Sequence, residues 1–173
     1  MHPLHPRLNL FKPKQTNAAI AWAFLQNKAG KQASSQGKLA YWLYATPVHL
    51  VLQRDTFSLA APVPLSLDAD EVDALTAALN QHFSSDGLAF IWHENTWFLS
   101  LQTNPQISTT APQAAINKDI SAYLPTGKGA TKWASFTNEI QMLLFEHPVN
   151  ITREDKLLPA VNSIWCYGGG QIL

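Results

Sequence analysis

A guanidinium, two amides, an imidazole and a glycine run fall close together near the end of this chain. The order is His147-Pro148-Val149-Asn150, then Arg153, then Asn162 ahead of Ile164-Trp165-Cys166-Tyr167 and Gly168-Gly169-Gly170. Arginine grips a carboxylate or phosphate through two parallel N–H bonds, and consecutive glycines let backbone N–H groups converge on an anion. His147, Asn150, Arg153, Asn162, Gly168 and Gly170 are therefore the candidates for contact with a ligand or an interface. The same residues also have an architectural use, in which Asn150 caps the turn after a helix, Arg153 ties two loops together and the glycines permit a tight exit.

Other constellations carry less. Six histidines and one cysteine raise the question of a metal, but none of them has HxxxH or CxxC spacing, so no metal and no other cofactor is expected. Cys166 alternates within an apolar strand pattern and reads as core rather than as a nucleophile, which would need a nearby base. Gly127-Lys128-Gly129-Ala130-Thr131-Lys132 lacks the spacing of a phosphate loop. Its two lysines at a helix start still make a minor anion site conceivable. The carboxylates Asp68, Asp70, Glu71 and Asp73 crowd a helix start, where the macrodipole accounts for them better than acid–base chemistry.

The elements that must position these residues follow from periodicity. Residues 1–38 form a lead-in with a helix from Asn17 to about Ala29, capped by Thr16 and stopped by Gly30, and residues 39–173 form one domain. Leu39 to Gln53 reads as a strand whose Pro47 marks a bulge or an edge. Arg54-Asp55-Thr56 turns the chain into a second strand, Phe57 to Ala61. Asp68 and Glu71 open a helix by a capping box, with Val72, Leu75, Leu79 and Phe83 on one face and Asp86-Gly87 closing it. Leu88–Trp92 and Trp97–Leu101 alternate about a four-residue loop, His93 to Thr96. A polar passage, Gln102 to Lys128, wraps over the sheet. A second strong helix runs from about Ala130 to Glu146, ended by Pro148, and Ile164–Tyr167 is the last strand. The order ββαββαβ predicts the α+β class, with a mostly antiparallel five-stranded sheet, two main helices and the additional N-terminal helix.

Composition narrows the partners. Hydrophobic residues make up 46% of the chain and charged residues only 14%, against about 25% charged in ordinary soluble domains. Either part of the surface is covered by another chain or a ligand, or uncharged polar residues solvate it. Twelve basic and twelve acidic residues cancel, so there is no net field to gather nucleic acid or anionic lipid. The apolar run Ala18–Leu25 is too short to span a bilayer. Lys12 and Lys14 before it imitate a signal peptide without a convincing cleavage site. A lone cysteine fits a reducing compartment, and the expected location is cytoplasmic.

Thr46-Pro47-Val48-His49, the stretch from Asp68 to His82, Leu124-Pro125-Thr126-Gly127, the HPVN run with Arg153, and Pro159 with Asn162 before a tryptophan strand together resemble a known domain. It is the insert of the archaeal-type cofactor-independent phosphoglycerate mutases. Asn138-Glu139-Ile140-Gln141-Met142-Leu143-Leu144 extends the resemblance to bacterial proteins described as cofactor-independent phosphoglycerate mutase or RpfE-type regulatory protein. The match covers roughly residues 40–170. The resemblance implies an architecture and anion-binding residues. Mutase chemistry in that family needs two metal ions and a phosphorylated serine or threonine on a separate α/β domain, whose ligand series this sequence does not show. A stand-alone, non-catalytic relative is expected, with regulation through a partner protein or a small anionic metabolite. Leu173 follows an apolar strand abruptly, as in a truncated or compact version. The alternatives are a phosphotransfer enzyme, or part of one, and an oligomerisation module that forms a homo-oligomer.

Overall fold

The structure is a computed structural model of the 173-residue chain and describes Asn17, Ala18, Ala21 and residues 40–171. Ala18 and Ala21 are helical; the remainder of the helix expected from Asn17 to Ala29 lies outside the described residues.

Strand β1 (Tyr41–Val48) is central. It pairs antiparallel with β5 (Thr96–Leu101) on one side and with β6 (Ser163–Gln171) on the other, and β4 (Leu88–His93) flanks β5. Side chains alternate across the sheet as period-two geometry requires. Leu43 and Ala45 join Leu99, Ile164 and Cys166 in one core, and Trp42 and Tyr44 join Phe98 in another. The first face is covered by α1 (Ala69–His82) and α2 (Ala130–Phe145) through Val72, Leu75, Leu79, Trp133, Ile140 and Leu144. Burying each such side chain contributes about 1.5–3 kcal/mol. The capping box is formed: the Asp68 carboxylate accepts from Glu71 N–H at 2.8 Å and Glu71 accepts from Asp68 N–H at 3.2 Å.

The α+β class and the antiparallel pairing agree with the sequence reading, but the single five-stranded sheet does not form. The long first strand breaks at His49, and β2 (Leu50–Gln53) leaves the sheet to pair only with β3 (Thr56–Leu59) as a separate ribbon. Proline accounts for part of this. Pairing of β1 with β5 stops at Tyr44, so Pro47, opposite Ile164 of β6, sits where β1 is locally an edge. Its carbonyl accepts from Leu65 N–H at 3.1 Å, so the side on which proline lacks a donor is the side β5 has vacated. The ribbon and the passage 102–128 cover the second face, where Val48, Leu50, Leu59, Ala115, Ile120 and Trp165 cluster. Trp165 Nε1–H donates to the Thr110 carbonyl at 2.8 Å.

Two boundaries also move. His93 and Thr96 are paired strand residues, so the β4–β5 loop has two residues, Glu94 and Asn95, with φ of 46° and 66°. Two consecutive left-handed residues match the twist of a tight hairpin. Pro148 does not merely end a helix. It is the first residue of α3 (Pro148–Asp155), a position where proline's fixed φ suits the helix and its missing N–H costs nothing. Among the described residues no helix is long and apolar enough to cross a membrane.

Candidate functional site

The six candidate residues cluster around α3 and the two ends of β6, and the structure shows what each polar group does. Asn150, 3% exposed, donates from Nδ2 to the carbonyls of Leu144 at 2.8 Å and Val161 at 2.9 Å, and accepts at Oδ1 from Val161 N–H at 2.7 Å. One amide thus joins the end of α2 to the segment leading into β6. Asn162 does the same for β2: it accepts from Leu50 N–H at 2.7 Å and donates to the Leu50 carbonyl at 2.8 Å. Nearby, His49 Nδ1–H donates to the Ala160 carbonyl at 2.8 Å.

Arg153, 4% exposed, is held from three directions. Nε–H donates to the Pro159 carbonyl at 2.7 Å, and one terminal nitrogen donates to Glu71 Oε2 at 2.7 Å and to the Ser66 carbonyl at 3.4 Å. Glu71 uses its other oxygen in the capping box of α1. A single carboxylate therefore couples the start of α1 to α3. The guanidinium does grip a carboxylate, as its chemistry favours, but the carboxylate belongs to the same chain.

The glycines serve the sheet. Between Trp42↔Gly170 and Tyr44↔Tyr167 the pairing register of β1 and β6 shifts, so β6 carries an extra residue there. Gly168, with φ of +68°, supplies the left-handed conformation that such a bulge uses. Its N–H donates to Thr109 Oγ1 at 3.2 Å, and a Cβ there would meet the Tyr44 ring at 2.9 Å. At Gly170 a Cβ would meet the Asn17 side chain at 2.6 Å. Gly170 pairs with Trp42 and Gly168 forms the bulge, so the run is taken up by strand pairing rather than curled into a nest.

His147 caps α3. Its Nδ1 accepts from Val149 N–H at 3.1 Å, which requires the tautomer protonated at Nε2. Burial holds its pKa below the ordinary imidazole value, against a hydrogen bond to the Ala74 backbone that pulls the other way. The folded state therefore binds its proton less readily than the unfolded chain, so this contribution to stability is present above the unfolded pKa of about 6.5 and is lost as pH falls through the depressed folded value. Wild type is expected to lose stability on acidification below about pH 6.5 by more than His147→Asn does, since asparagine also caps but does not titrate. Urea unfolding at several pH values measures the difference. Parallel curves for the two proteins would remove His147 as its source.

Cys166 lies in the core and burial pushes its thiol up to about 12. Thiol-specific reagents at pH near 8 should leave native protein unlabelled and label it fully in urea. Rapid native labelling would show an accessible thiolate.

The sequence reading does not find Asn80, whose amide accepts from Phe90 N–H at 2.7 Å and donates to the Phe90 carbonyl at 2.9 Å, closing the outer edge of β4. A half-buried asparagine beside the apolar stripe of a helix carries no sequence signal for this. Nor does it find a cleft of about 670 Å³ between the end of α1 and the first half of α2, bordered by Phe83, Leu88, Leu101, Trp133 and Phe136 with Lys128 and Lys132. Its aromatics read only as the core stripe of two helices, although the lysines stand out as a minor anion site. Among the described residues no group of three or more His, Cys, Asp or Glu side chains is placed to hold a metal ion.

No protein-family model matches the chain. It is 25% identical over 107 residues to the 2,3-bisphosphoglycerate-independent phosphoglycerate mutase of Methanosarcina mazei, a stretch that is 60% of this chain and 27% of that protein. It is likewise 25% identical over 108 residues to the enzyme of the same name from Methanosarcina barkeri, covering 61% of this chain and 27% of that one. Among solved structures, a cofactor-independent phosphoglycerate mutase from Thermoplasma acidophilum superimposes with a TM-score of 0.56 at 12% identity, over 78% of this chain and 37% of that one. The chain thus shares its fold with part of an archaeal mutase and spans about a quarter of the length of the curated relatives it matches. These findings fit a relative of the mutases' inserted domain.

Proposed function

We propose that this chain is a non-catalytic binding unit, related to the insert of the cofactor-independent phosphoglycerate mutases, that acts in regulation by holding a small anionic metabolite or a partner protein. One observation carries the reading. Arg153 and Asn150, the side chains best suited to grip a phosphoryl group, are 4% and 3% exposed and bonded to Glu71 and to backbone groups of their own chain. A residue already committed in this way has little left for a substrate. Met142, Phe145 and Leu157, which are 77%, 80% and 94% exposed, favour contact with a protein, a second copy of the chain included; sedimentation at low and high concentration separates a self-associating chain from a monomer.

The test is a coupled assay for phosphoglycerate mutase turnover on protein freed of host enzyme, with and without added Mn²⁺. No turnover above a mock purification is expected. The competing reading, one half of a phosphotransfer site completed by another chain, is favoured by the likeness to the mutases. It requires divalent-ion-dependent activity that Arg153→Ala abolishes while the variant remains folded, and that result would replace the first reading.

A further inference from the structure

We propose that the cleft between the end of α1 and the first half of α2 binds a small planar aromatic or heterocyclic anion; this rests on the binding role above and names its site and ligand class. The volume, about 670 Å³, lies within the range of roughly 300–1,000 Å³ typical of small-molecule sites. Its floor is an aromatic relay. Phe136 meets Phe83 on one side and Trp133 on the other, each at 5.0 Å between ring centroids and steeply inclined. Phe83 and Trp133 are buried beneath, so Phe136, half-buried between them, presents the ring surface that another flat ring can meet.

The rim is polarised along α2. Lys128 and Lys132 stand exposed at its start, while Glu139 lies two turns on, held by His82 Nε2 at 2.8 Å, with Asp86 across the gap. A purely apolar occupant would leave the lysines unused, and a bare anion would leave the rings unused. A flat anion satisfies both. Its charge is drawn to the lysines and kept from the carboxylate end, so the cleft also fixes its direction.

The probe is anilinonaphthalene sulfonate, a flat aromatic anion, compared with phenylnaphthylamine, which carries the same rings without the charge. Saturable one-site binding of the sulfonate is expected at low ionic strength, with weaker binding of the neutral dye. Reversing both lysines (K128E with K132E) should weaken the sulfonate by about tenfold or more, since each reversed charge removes an attraction and adds a repulsion of order 1 kcal/mol. Ser135→Trp, from an exposed position on the cleft wall, should block it. All three positions are exposed, so the variants should fold, as circular dichroism checks. Leu52→Gln, at an exposed position on the β2–β3 ribbon away from the cleft, should change nothing. Unsaturable binding, equal affinity for the neutral dye, indifference to the lysine reversal, or loss in the Leu52→Gln protein would each overturn the proposal. Mutase turnover would instead overturn the non-catalytic reading and leave the dye titration untouched.

Discussion

Arg153→Ala should unfold at a free energy about 3 kcal/mol below wild type, because removing one partner of a buried ion pair leaves the other charge uncompensated. In a chain of this size that corresponds to a fall in Tm of about 6–12 °C. The side chains of Arg153 and Glu71 are 5% and 19% exposed, so solvent offers little relief. The loss has two further parts: the Pro159 carbonyl loses its donor at 2.7 Å, and α3 loses its tie to the start of α1. Lysine should not rescue. Its ammonium can reach Glu71 or Pro159, but it lacks the planar fork that reaches both, so Arg153→Lys should keep less than half of the difference. Glu71→Gln should cost less than Arg153→Ala, since the amide still accepts from Arg153, and the double variant should lose less than the sum of the singles. Urea unfolding of the four proteins measures the coupling. Should Arg153→Ala stay within about 0.5 kcal/mol of wild type, as changes remote from structural features do, the guanidinium would not be a structural tie and its role as a ligand residue would regain force.

The divide between what the sequence discloses and what it hides follows the range of the interactions. Local signals are dependable: the Asp68–Glu71 box is a four-residue motif, and the stripe Trp133, Ile140, Leu144 is a helical period, and both stand in the structure. Cys166 in the core follows from strand alternation alone. Long-range commitments are not legible. Nothing near Arg153 states that its partner is Glu71, 82 positions away, or that Asn162 binds Leu50, 112 positions away. The density of polar side chains from His147 to Gly170 is legible, but their targets are not, and the target decides whether a polar residue serves a ligand or the fold. The separate β2–β3 ribbon escapes for a similar reason. Leu39 to Gln53 has one continuous apolar pattern in which Pro47 signals an edge but not the break at His49, and the tertiary demand to cover the second face completes that break. Pro148 reads as a stop because proline ends helices, yet the same ring begins them. His147, which caps the new helix through its ring, is not among the usual capping residues.

The second large effect is expected at Asn150, where chemistry rather than size should set the outcome. Three bonds converge on its amide, from both Nδ2 hydrogens and to Oδ1. Alanine there strands the Val161 carbonyl and N–H in a buried site and leaves the Leu144 carbonyl with its longer bond from His147 N–H at 3.2 Å, at about 1–3 kcal/mol for each group that finds no water. The sum should be about 3–5 kcal/mol after partial relaxation. Leucine, similar in volume, should do no better, because it fills space without donating or accepting. Aspartate should be the sharpest test. It keeps the shape and the acceptor for Val161 N–H, but puts an oxygen against two carbonyls where asparagine put donors, so at neutral pH it should be at least as damaging as alanine. Protonation of that carboxyl restores one donor, so the gap between the Asn150→Asp and Asn150→Ala proteins should narrow as pH falls toward about 4. By contrast Asn162→Ala, half-buried at its Leu50 clip, lies where water can replace the amide and should cost about 1 kcal/mol. A large loss at Asn150 and a small one at Asn162 would assign the first to the fold and leave the second as the more available of the two for a ligand. Equal, small losses at both would mean that α3 is held by its apolar contacts and that the amides are spare, which would return the whole cluster to the search for a binding site.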